Sequence, residues 1–162
     1  MKNSIFIGIL VLVVIGIVGF MVSQNSSSDI EENKLTNRGG VVATMYKSPS
    51  CSCCGQYSEY LKREGYDVKV EATQDVSVIK EQYGVPYELE SCHTMEVGGY
   101  VVEGHVPEEA VQKLLTEKPD IKGIGMAGMP SGSPGMPGPK KQDFVVYEIT
   151  HEGTKGDIFM TI

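Results

Sequence analysis

Cys51, Cys53 and Cys54 fall within four residues, and the chain has one further cysteine, Cys92, followed directly by His93. Thiols this dense are rarely packing residues. The Cys51-x-x-Cys54 spacing suits two kinds of chemistry, a redox disulfide or the grip of a soft metal ion. His105 adds an imidazole, and Met126, Met129 and Met136 add thioethers in a Gly- and Pro-rich stretch. Met45 and Met160 fall in strand-like runs and read as core, as do Tyr57 and Tyr60 at helical spacing. His151 falls in a turn pattern and reads as exposed.

Those donors need elements to hold them. Val41 to Tyr46 reads as a buried strand, and Lys47-Ser48-Pro49-Ser50 turns the chain. A helix is predicted from Cys51 or Ser52 to Glu64, with Cys54, Tyr57, Tyr60 and Leu61 on its inner face and Gly65 as its stop. Val68 to Ala72 alternates as a second strand. Asp75 caps a short helix with Val76, Ile79 and Tyr83 inward, ended by Gly84 and Pro86. Cys92–Val97 and Tyr100–Glu103 make a hairpin around Gly98-Gly99. Adjacent strand residues face opposite ways, so one of Cys92 and His93 faces away unless the strand starts after them. Pro107 takes the first position of a helix whose stripe is Ala110, Val111, Leu114 and Leu115. The stretch from Gly123 to Gly138, within a loop spanning 123–142, reads as neither regular helix nor central strand. Phe144–Ile149 and Ile158–Ile162 suggest a terminal hairpin across residues 151–154.

The chain has 162 residues and a formal charge of -7. That suits one compact α/β domain, residues 39–162, with appendages. There is no basic patch to neutralise phosphates, which argues against a nucleic-acid partner. Residues 1–23 form a separate object. Ile5 to Val22 runs 18 residues without a charged side chain. As a helix it would rise about 27 Å, close to the hydrocarbon thickness. It lacks a clear cleavage site and reads as an uncleaved transmembrane anchor, with a signal peptide as the alternative. Lys2 marks the short side as cytoplasmic, which places the domain outside. Residues 24–38 are polar and read as a flexible spacer.

A C-x-x-C at the first strand-to-helix junction of a β-α-β-α-β-β-α order resembles the thioredoxin-like fold. The resemblance implies a mixed sheet with flanking helices and a first cysteine at a helix N-terminus, where thiolate is favoured. Such proteins usually bring a cis-proline beside the C-x-x-C to dock substrate. Here Cys92-His93-Thr94 occupies that place, which weighs against an ordinary disulfide reductase.

Four ordered blocks go further: Lys47-Ser48-Pro49-Ser50-Cys51-Ser52-Cys53-Cys54-Gly55, Ser91-Cys92-His93-Thr94, Gly99 to Pro107, and Gly128 to Met136. They resemble the CopG-like family, also termed domain of unknown function 411, associated with copper resistance in cell envelopes. The resemblance implies copper bound at the cysteines. The donor chemistry agrees: thiolate and thioether prefer Cu(I), and imidazole accepts either copper oxidation state. Three thiols in four residues suit a thiolate-bridged cluster better than one tetrahedral ion.

The expectation is therefore a membrane-tethered, extracytoplasmic copper-binding protein that sequesters or transfers copper. Its ligand set is Cys51, Cys53, Cys54, Cys92, His93, His105 and Met129, and its partners are copper ions and other copper-handling envelope proteins. The alternative is a thiol-disulfide or copper oxidoreductase in which Cys51 attacks and Cys54 resolves. A third reading is a structural zinc site from Cys51, Cys54, Cys92 and His105.

Overall fold

The computed structural model describes residues 40–162. The proposed anchor and spacer lie outside the described residues. Among the described residues no helix is long and apolar enough to cross a membrane.

The elements are β1 (Val42–Lys47), α1 (Ser52–Arg63), β2 (Asp67–Ala72), α2 (Val76–Tyr83), a 3-10 turn (Tyr87–Leu89), β3 (His93–Val97), β4 (Tyr100–Glu103), α3 (Glu108–Glu117), β5 (Gly123–Gly125), β6 (Val145–Ile149) and β7 (Lys155–Thr161). They build one mixed seven-stranded sheet in the order β2-β1-β3-β4-β5-β6-β7. β1 runs parallel to β2 and antiparallel to β3, β3 and β4 form the expected hairpin, and β4 is parallel to β5.

Local sequence explains most boundaries. Asp75 accepts from the Ser77 N–H and caps α2, and Gly84 ends it in a left-handed conformation. Pro107 stands at the N-cap of α3 rather than inside its first turn. Its φ of -59° suits either place, and its ψ of 146° decides for the cap. α1 buries Cys54, Tyr57, Ser58 and Leu61. Cys54, Tyr57 and Leu61 pack with Ala110, Val111 and Leu114 of α3 and with Met45, Met95, Val97 and Val102 of the sheet. A smaller cluster of Val85, Leu89, Val101 and Ile149 forms separately. Neighbouring Val101 and Val102 belong to different clusters, as the two-residue period of a strand requires.

One expectation fails. The Gly-rich stretch begins with a central strand, β5, paired to β4 on one side and β6 on the other. A Cβ on Gly123 would lie 2.0 Å from the Val101 carbonyl oxygen. Glycine there is what lets the two backbones approach. Residues beyond Gly125 form the expected irregular loop, and the terminal hairpin is present, with β7 beginning at Lys155 rather than Ile158.

Candidate metal centre

Cys51 is the N-cap of α1, and its sulfur accepts from the Cys54 N–H at 3.3 Å. Cys51 and Cys54 are joined in a disulfide, while Cys53 and Cys92 are free thiols. Cys51 Sγ is 3.5 Å from Cys53 Sγ, and Cys54 Sγ is 3.4 Å from Cys92 Sγ. The four sulfurs all lie within 4.8 Å of one another. A tetrahedral centre with 2.3 Å metal–sulfur bonds has sulfurs about 3.8 Å apart, so small rotations of these side chains suffice to surround a metal. In the bridged form Cys51 and Cys54 have no thiolate to give. Reduction is needed before all four can bind.

Cys92 occupies a bend just before β3, and His93 is the first residue of that strand. The two side chains therefore converge: Cys92 Sγ lies 3.4 Å from His93 Nδ1. His105, two residues past β4, brings Nε2 to 3.0 Å from the same sulfur. Cys92, His93 and His105 form a second donor group within 4.8 Å. Cys92 thus belongs to both groups.

The histidines are held firmly. His105 Nδ1 lies 2.7 Å from the Pro134 carbonyl oxygen. A carbonyl only accepts, so Nδ1 carries the proton and Nε2 presents its lone pair to Cys92, the arrangement a metal-binding imidazole needs. Tyr57 stacks on His93 at 4.8 Å and meets His105 edge-on at 5.4 Å between ring centroids. Its hydroxyl donates to the Val106 carbonyl at 2.9 Å. His93 is fully buried, and its Nε2 has no hydrogen-bond partner among the described residues.

The electrostatics keep this cluster neutral. Burial, then the neighbouring Cys53, pushes the Cys92 thiol up to about 11. Burial lowers His93 well below the ordinary imidazole value, with His105 and Lys80 adding to it. Burial also lowers His105, against the pull of the Pro134 carbonyl. A bound cation reverses the balance for Cys92, because the thiolate then has an opposite charge beside it.

Two residues that hold this geometry, Glu103 and Lys80, escaped the sequence reading. Glu103 is fully buried and accepts from Lys80, from the Ser91 N–H at 2.6 Å and from the Thr94 hydroxyl at 2.6 Å. One carboxylate therefore grips the residues on either side of Cys92-His93. Burial raises the Glu103 carboxyl, opposed by Lys80 and by these hydrogen bonds. A charged residue closing the Val101-Val102-Glu103 run was the available signal. Lys80 carries no such signal, because a lysine on an amphipathic helix ordinarily belongs to the solvent face.

The methionines separate. Met126 is core. Met129 is 51% exposed beside Ser91 and Cys92, in an open cleft with Tyr87, Glu88 and Glu90. Met136 lines a different cleft over the outer face of α1, with Ser52 and Gly55. The loop carrying them is pinned to the site, since the Ser91 hydroxyl donates to the Gly128 carbonyl and a Cβ on Gly135 would meet Tyr57 N at 2.7 Å. His151 is exposed near Asp120, away from the cluster.

Residues 89–136 match the model of a family described as "Protein of unknown function, DUF411". No curated protein matches the chain. Two solved structures do, described as "Copper resistance protein copG", Form 2 and Form 1, each at 33% identity. Form 2 aligns over 76% of this chain and 98% of its own with a TM-score of 0.70; Form 1 aligns over 75% and 97% with a TM-score of 0.69. The family-model match over residues 89–136 and this near-complete coverage of a relative at 33% identity show that the chain belongs to the CopG-like DUF411 family.

Proposed function

We propose that this chain is a membrane-tethered, extracytoplasmic copper-binding protein of thioredoxin-like fold that sequesters or transfers copper. The single observation that carries the reading is Cys92 Sγ, which stands 3.4 Å from Cys54 Sγ and 3.0 Å from His105 Nε2. It links a four-sulfur group to an imidazole pair, a soft donor set that favours Cu(I) over zinc. Cys51, Cys53, Cys54 and Cys92 are the bridging ligands, His93 and His105 the imidazole ligands, and Met129 an outer thioether. The similarity to structures described as a copper resistance protein supports this. The order β2-β1-β3-β4, with β3 antiparallel to its neighbours, supports the thioredoxin-like reading. The uncharged run Ile5–Val22 supports the tether.

The test is competition. The full-length protein in detergent, reduced and metal-free, is offered equimolar Cu(I) and Zn(II) and desalted anaerobically. Copper should be retained and zinc lost; the reverse overturns the assignment. The tether is read by N-terminal sequencing and by retention in salt-washed membranes. A mature N-terminus near Ser23 overturns it.

A second reading, a thiol-disulfide oxidoreductase, is favoured by the Cys51–Cys54 disulfide. Cys51 would attack and Cys54 resolve. Insulin reduction with dithiothreitol separates the two. Turnover equal to a true thioredoxin selects the oxidoreductase, and turnover near the uncatalysed rate selects copper handling.

A further inference from the structure

The Cys92 thiol has a base and a target. His105 Nε2 is 3.0 Å away, and its lone pair is directed there because Nδ1 donates to the Pro134 carbonyl. On the other side, 3.4 Å away, is Cys54 Sγ, one half of the disulfide. A nucleophile, a base within reach and a third group orienting the base is the pattern of an activated thiol.

We propose that Cys92 is an internal nucleophile, with His105 as its general base, that moves the disulfide from Cys51–Cys54 to Cys54–Cys92. The Cys92 proton passes to His105 Nε2. Cys92 Sγ bonds to Cys54 Sγ, the Cys51–Cys54 bond breaks, and its electron pair leaves on Cys51 Sγ. One disulfide is exchanged for another, so no oxidant or reductant takes part. The leaving thiolate is the cysteine at the α1 N-cap, which accepts the Cys54 N–H and lies at the positive end of the helix dipole. A leaving thiol stabilised in this way departs faster. The exchange changes which thiols are free. Before it they are Cys53 and Cys92; after it they are Cys51 and Cys53, 3.5 Å apart at the helix start. Cys53 also has a disulfide sulfur within reach, but the two imidazole contacts fall on Cys92. The exchange involves no metal and stands apart from the copper reading.

The experiment uses full-length, metal-free protein in detergent carrying one disulfide and two free thiols. The Cys51–Cys54 form is isolated at acid pH and shifted to pH 8. Samples are acid-quenched at intervals, alkylated and mapped by mass spectrometry. The expected result is growth of a Cys54–Cys92 peptide with Cys51 newly alkylated. His105→Gln should slow its appearance by about a hundredfold, the lower end of a general base's contribution. Cys92→Ser should leave Cys51 unlabelled throughout. Persistence of Cys51–Cys54 alone in the wild type overturns the proposal without needing any variant to fold. A Cys51–Cys53 product, or an unchanged rate in a folded His105→Gln protein, overturns it as well. Copper retention by the fully reduced protein is measured separately, so either idea can fail alone.

Discussion

Replacing Glu103 with Ala removes one carboxylate from beneath the centre and strands three donors. Lys80 is left as a buried ammonium without its partner, and the Ser91 N–H and Thr94 hydroxyl lose acceptors now at 2.6 Å. Breaking a buried ion pair from one side costs about 3–5 kcal/mol, and an orphaned buried hydrogen-bonding group about 1–3 kcal/mol. The three donors share one acceptor, so these costs do not add; about 4 kcal/mol is the working figure. Unfolding entropy is about 2.1 cal/mol/K per residue, or roughly 0.26 kcal/mol/K for the 123 described residues. The melting temperature should then fall by about 15 °C. Glu103→Gln, which keeps an acceptor oxygen but no charge, should fall less. The double change Lys80→Met with Glu103→Leu should recover most of the loss, because it leaves no buried charge unpaired. The assay is thermal and urea unfolding of the metal-free protein, followed by circular dichroism at pH 7 with the disulfide intact. A Glu103→Ala cost below about 1 kcal/mol, or a double variant no better than the single, would refute the argument. Alkylation of Cys92 should also accelerate in Glu103→Ala, because Ser91 loses its anchor.

Cys51→Ser, Cys54→Ser and Cys92→Ser should each remove most of the copper bound by reduced protein, as metal analysis would show; proportionate losses would mean independent sites. Gly123→Ala should destabilise by about 3 kcal/mol or more, the upper end for overpacking, because its Cβ meets backbone rather than a yielding side chain. Urea unfolding checks that. Both His93 and His105 have depressed values in the fold, so the unfolded chain takes up protons first as pH drops. The stability of the metal-free protein should hold above the unfolded imidazole value of about 6.5 and decline below it, by up to about 2.7 kcal/mol per pH unit for two imidazoles. A flat urea midpoint from pH 7.5 to 5.5 would contradict this. Met129→Ala should leave copper stoichiometry intact while altering the rate of copper release to a chelator.

The chemistry of this protein was legible because it is local. Three thiols in four residues, Cys92 beside His93, the Asp75 cap, the Gly98-Gly99 turn and the stripes of α1 and α3 are all statements about spacing, and helical and strand periods convert spacing into direction. Residue types alone named the donors as soft. What sequence could not decide were matters of a single residue or of distant partners. Whether Cys92 and His93 converge depends on β3 starting at His93, a one-residue boundary that inverts side-chain direction. That Gly123–Gly125 forms a central strand depends on the Val101 backbone lying against it, a contact no local pattern encodes. His105 takes its tautomer from Pro134, 29 residues away, and Lys80 is buried only because Glu103 lies across the interface between helix and sheet. Burial, tautomer and pairing are properties of the neighbours that folding supplies, and at Cys92 those neighbours convert a thiol in the sequence into the shared corner of two donor groups.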